Sequence, residues 1–61
     1  MPQFFLYCAG EGKFILKLVG EKTTLEFTDI VAAITAARTK HSKAALVVYN
    51  SVGGVVMDTV I

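Results

Sequence analysis

The sequence predicts an α+β fold: a four- or five-stranded, mainly antiparallel sheet with one helix packed on one face, in the order β-β-(β)-α-β-β. Three observations predict it. One stretch alone, Asp29 to about Lys40, carries apolar residues at helical spacing behind a capping signal. The other apolar runs are short, rich in Val, Ile, Leu, Phe and Tyr, and punctuated by glycine-containing turns, as strands are. With 61 residues there is room for one domain, residues 1–61, so all these elements must share one core.

The first strand covers residues 3–9, with Pro2 just ahead of it, where a missing N–H does little harm. Gly10-Glu11-Gly12-Lys13 is a turn, and residues 14–19 form the second strand, making a hairpin. After the Gly20-Glu21-Lys22 turn, residues 23–27 alternate polar and apolar, which suits a half-exposed third strand. Thr28 is the expected helix N-cap, and Asp29 places negative charge at the positive end of the helix dipole. A full capping box is absent, because Val31 stands where Glu or Gln would be.

Ile30, Ala33, Ile34 and Ala37 share one helix face, and the alanines permit close approach to a sheet. Arg38, Lys40 and His41 sit in or just after the last turn, where cations suit the carbonyl end. A helix of this length spans about 18 Å, close to a six-residue strand, so one helix covers one small sheet. Ser42-Lys43 leads to the fourth strand, Ala45 to Asn50. Asn50-Ser51-Val52-Gly53-Gly54 is a turn, and Val55 to Ile61 is the last strand.

Strand side chains alternate between faces, so each strand divides by parity. Lys17 outward puts Phe14, Leu16 and Leu18 under the helix. Thr24 and Glu26 outward put Leu25 and Phe27 inward. Asp58 outward puts Val55, Met57, Thr59 and Ile61 inward. Tyr49 outward puts Leu46 and Val48 inward, and Tyr7 outward does the same for Phe4, Leu6 and Cys8. The outer face then carries Phe5, Tyr7, Ile15, Val19, Val47, Tyr49, Val56 and Val60, with Lys17, Thr24, Glu26 and Asp58 as its polar members. A sheet with one face in water alternates more cleanly than this. With one helix, the chain has no second layer for that face, and such apolar surface marks an interface.

Composition narrows the function classes. The chain is 54% hydrophobic and 18% charged, against roughly 45–50% and 25% in an ordinary domain, which excludes disorder. A net charge of +1 gives no electrostatic case for nucleic acid or an anionic membrane. The apolar runs fall short of the roughly 18–20 residues of a membrane span. No Lys or Arg precedes the first apolar run, which argues against a secretory leader. One cysteine, Cys8, excludes an intrachain disulfide and fits a reducing cytoplasm. Cys8 and His41 do not make up a four-ligand metal set. Small domains draw stability from disulfides, metals or oligomerisation, and the last of these remains.

The stretches Leu25-Glu26-Phe27-Thr28-Asp29, Ala36-Ala37-Arg38 and Leu46-Val47-Val48-Tyr49-Asn50 through Gly53-Gly54-Val55-Val56 resemble small bacterial domains of unknown function with a ββαββ pattern. In those, a Val-Phe-x-Thr strand end leads into an Ala-rich helix, then a Leu-Val-Val strand and a glycine turn. The likeness covers about four-fifths of the chain, which is less charged and more apolar than that pattern. It implies the fold and adds no catalytic residue.

Three further groups of residues bear on chemistry. Cys8 and His41 could form a nucleophile–base pair, but a strand cysteine and a helix-end histidine are the plainer reading. The Gly10-Glu11-Gly12 glycines join two strands, whereas a phosphate cradle opens onto a helix N-terminus. Glu26 and Asp29 fall on a strand and a cap, which suits solvation and capping better than a paired-carboxylate site. No catalytic residue, metal or cofactor is expected. The expectation is a non-enzymatic interaction module that forms a homo-oligomer, a two-fold dimer being the commonest closed form. The alternative is a single-stranded nucleic-acid binder using Phe5, Tyr7 and Tyr49 beside Lys17 as a stacking platform. The low net charge and the aliphatic neighbours Ile15, Val19, Val47 and Val56 count against it.

Overall fold

A computed structural model describes residues 2–61. It contains five strands and one helix in the order β1 (Gln3–Gly10), β2 (Lys13–Leu18), β3 (Thr24–Phe27), α1 (Ile30–Lys40), β4 (Ala45–Tyr49) and β5 (Val55–Val60). The strands form one mixed sheet in the spatial order β3-β2-β1-β4-β5. β1–β2, β2–β3 and β4–β5 are antiparallel, and β1–β4 is parallel.

The two-residue link Glu11-Gly12 closes the first hairpin, and Gly12 takes φ +67, a value that glycine adopts without steric cost. From β3 the chain crosses through α1, over β2 and β1, to place β4 on the far side of β1. A parallel pair requires such a crossover. β1 is thereby central, and its composition suits that place. Phe4 and Leu6 are buried on one face, and Phe5 and Tyr7 are apolar on the other.

The core is made by Phe4, Leu6, Leu16, Leu46 and Val48 from the sheet, Ala33 and Ala37 from the helix, and Ala44. Phe14, Leu18, Phe27, Ile30, Ile34 and Ile61 pack around it. The expected helix face is therefore the one that packs. Its buried positions are both alanine, which lets the helix lie close against the strands. It packs mainly on β2 and β3. β5 lies beyond its reach, and all six of its residues are exposed.

Three expectations need correction. The N-cap is Asp29, not Thr28: the Asp29 carboxylate accepts from the Val31 N–H at 3.0 Å, with Asp29 itself extended. A carboxylate two residues ahead of a free amide serves as well as a hydroxyl and adds its charge at the dipole's positive end. Val55 does not keep the parity of Met57 and Thr59. The ladder shifts between Val48 and Tyr49, so Val55 pairs with Tyr49 while Met57 pairs with Val48. One extra residue on a strand resets which face the next side chains take. Leu25 shares the inner register with Leu16 but stays 48% exposed, because β3 is an edge strand and Leu25 lines the open hollow beside Lys40 at the helix end.

Candidate interaction face

The register sorts the outward side chains into three rows running across the strands. Ile15, Tyr7, Tyr49 and Val55 share the first, with Glu26 at its β3 end. Lys17, Phe5, Val47 and Asp58 share the second, with Thr24 at its β3 end. Val19, Gln3, Ala45 and Val60 form the third; Val19 joins it by donating its N–H to the Gln3 carbonyl at 2.9 Å.

Three aromatic rings occupy the middle of this face. Tyr7 and Tyr49 stack with centroids 5.2 Å apart and planes 11° apart. Phe5 lies tilted against both, at 6.4 Å from Tyr7 and 5.9 Å from Tyr49. The parallel β1–β4 register causes this, because it sets Tyr7 beside Tyr49 and Phe5 beside Val47. Offset stacking of this kind is worth about 0.5–1.5 kcal/mol beyond simple burial. The single helix lies on the opposite face, and no second layer among the described residues covers this one.

Seven of the eight residues expected on the outer face, namely Phe5, Tyr7, Ile15, Val19, Val47, Tyr49 and Val60, fall in these rows. Val56, the eighth, sits in the β5 irregularity, exposed, with Val55 taking the register position opposite Tyr49. Strand alternation does not place Val55 here, because a bulge next to a glycine turn leaves no mark in it.

The other candidates stand apart. Cys8 is half-buried, with its Sγ 3.6 Å from the Gly10 carbonyl oxygen. His41 rests tilted against Phe4, ring centroids 6.0 Å apart. Cys8 and Phe4 are four residues apart on β1, about 13 Å at strand rise, so the cysteine and the histidine lie toward opposite ends of that strand. Glu26 pairs with Lys13 at 4.0 Å in the open, and Asp29 caps the helix. Among the described residues no group of three or more His, Cys, Asp or Glu is placed to hold a metal ion. Beside the helix end is a hollow of about 50 Å³ lined by Phe4, Leu16, Leu18, Glu21, Thr23, Leu25 and Lys40. The Lys40–Glu21 ion pair, at 3.0 Å, lies at this hollow. Its volume is well below the roughly 300 Å³ at which small-molecule sites begin.

No helix among the described residues is long and apolar enough to cross a membrane. No protein-family model matches the chain, and neither a curated protein nor a solved structure is significantly similar to it.

Proposed function

We propose that this chain is a non-enzymatic protein-interaction module that self-associates through the outer face of its sheet, in the cytoplasm, where a reducing environment suits the lone thiol of Cys8. One observation carries this reading: the parallel β1–β4 pair at the centre of the sheet has Phe5, Tyr7, Val47 and Tyr49 on a face with no covering layer. Strands with apolar residues on both faces read as strands covered on both faces, and a contiguous apolar patch on a small domain is an interface signature. The face measures roughly 20 Å by 17 Å from strand spacing and rise. Adding a partner there would supply the second layer that the described residues do not.

Solution mass by light scattering across a dilution series tests the reading. The expected result is an assembly larger than the 6.6 kDa chain that dissociates on dilution. Val47→Lys, at the middle of β4, should give a folded monomer at every concentration. A wild-type chain that stays monomeric at high concentration, or an assembly indifferent to Val47→Lys, would overturn it.

A second reading, single-stranded nucleic-acid binding, draws on the three clustered rings and the adjacent Lys17. The stacking of Tyr7 on Tyr49 counts against it, since each ring already presents a face to the other rather than to a base. Salt-dependent oligonucleotide binding that is lost in Tyr7→Ala would favour it over self-association.

A further inference from the structure

The partner that fits this face is a second copy, and the distribution of charge over the three rows fixes how that copy must lie; this inference rests on the self-association reading above. We infer that the two sheets stack about a two-fold axis running along the seam between β1 and β4, so that Lys17 of each copy meets Asp58 of the other.

Such an axis keeps each row facing itself and reverses its order. In the second row, Phe5 comes over Val47 of the second copy, and Lys17 over Asp58. In the first row, Tyr7 comes over Tyr49 and Ile15 over Val55. In the third, Val19 comes over Val60 and Gln3 over Ala45. Every contact is then apolar on apolar, neutral polar on small, or opposite in charge.

The edge strands fit the same axis. The seam lies half a strand from the centre of the sheet, so β2-β1-β4-β5 stack on the same four strands reversed, and β3 projects beyond the contact. β3 is the strand whose outward residues, Thr24 and Glu26, are polar, with Glu26 paired to Lys13 in solvent. β5, at the other edge, carries Val55 and Val60 outward and is exposed throughout in the single chain. An axis through the sheet centre would instead set Lys17 over Val47 and bring Asp58 over Thr24.

The alternatives lying across the strands fail on charge. An axis along the second row places Lys17 on Lys17 and Asp58 on Asp58. An axis between the first and second rows places Lys17 over Ile15 and Asp58 over Val55, which buries both charges without partners. Stacked sheets sit about 10 Å apart with strand directions within about 30°, a gap that a lysine and an aspartate can bridge from opposite sides. Both residues lie toward the flanks of the stacked strands, where charge pairs select orientation more than they add affinity.

The test is a charge swap read by light scattering and analytical ultracentrifugation, with far-UV circular dichroism to confirm that each variant is folded. Lys17→Glu sets two acid pairs against each other across the two-fold, and Asp58→Lys sets two lysine pairs. Each alone should weaken self-association on the order of a hundredfold at low salt. Mixed in equal amounts, the two variants should form a heterodimer of near wild-type affinity, because every facing pair is again opposite in sign. The double variant carrying both substitutions should likewise recover. If both single variants assemble like wild type while Val47→Lys does not, the face is the interface and the seam axis is wrong. If the single variants weaken and the mixture does not recover, Lys17 and Asp58 do not face each other and the inference falls. If wild type never assembles, the self-association reading fails and takes this one with it.

Discussion

Tyr7 and Tyr49 stack almost in parallel, 5.2 Å and 11° apart, across the sheet's one parallel strand pair. They are 42 positions apart in the sequence. The crossover through α1 brings them together, and with Phe5 they form the apolar centre of a face that the helix does not shield. The same pairing puts β1 in the middle of the sheet. The strand that begins the described chain is therefore the one on which the core and the candidate interface both depend.

The aromatic pair should be measurable as a coupling. In a double-mutant cycle of Tyr7→Ala and Tyr49→Ala, the interaction energy should be about 0.5–1.5 kcal/mol. Urea unfolding at concentrations low enough to exclude assembly isolates this from association. Additive losses would mean the rings share a face without supporting each other.

The helix start separates two neighbouring residues. Asp29→Ala should destabilise the fold by about 1 kcal/mol through loss of the bond to the Val31 N–H. Thr28→Ala, at an exposed position, should stay within about 0.5 kcal/mol of wild type. Thermal or chemical denaturation of the two variants side by side gives the comparison, and the reverse ranking would restore Thr28 as the cap.

Ala37 is fully buried where the helix meets the core. Ala37→Leu adds volume with nowhere to go and should cost about 1–3 kcal/mol. The same change at exposed Ala32 should be close to neutral. A small domain has a total stability of only several kcal/mol, so the first variant should lose a substantial part of its resistance to urea.

Lys43 holds φ +59 between the helix and β4, the one non-glycine residue in the left-handed region among those described. That conformation costs a side-chain-bearing residue roughly 1–2 kcal/mol, partly offset in glycine by the greater freedom of its unfolded chain. Lys43→Gly should raise stability by up to about 1 kcal/mol, seen as a higher urea midpoint. A lower midpoint would mean that the lysine side chain contributes contacts that outweigh the strain.

The hollow at the helix end carries an ion pair of small consequence. Lys40 and Glu21 meet at 3.0 Å, yet each side chain is 42% exposed. Glu21→Gln should therefore change stability by no more than about 1 kcal/mol, and by less as salt is raised. A larger loss would show that the pair orders the β2–β3 turn.

How much of this was legible in the chain follows from the range of each signal. Helix spacing and strand alternation are local, so the elements, the packing face of α1 and most of the strand parities could be read from neighbouring residues. The cap expected at Thr28 falls one residue later because Thr28 and Asp29 are both competent acceptors, and backbone geometry chooses between them. Alternation assigns Val55 the opposite face because a bulge is a ladder event, visible only when β4 is beside it. Alternation points Leu25 inward but does not show that it lines an open hollow rather than a packed contact.

Residue pattern alone requires one helix, a sheet of short apolar strands, and more apolar outward residues than a face in water would carry. These follow from periodicity and composition, which are properties of adjacent residues. Only the folded chain sets β1 in parallel with β4, stops the helix short of β5, and brings Lys17, Phe5, Val47 and Asp58 into one row. Those relations join residues distant in the chain, and they arise where crossover geometry and core packing select one strand order among several that local patterning permits equally.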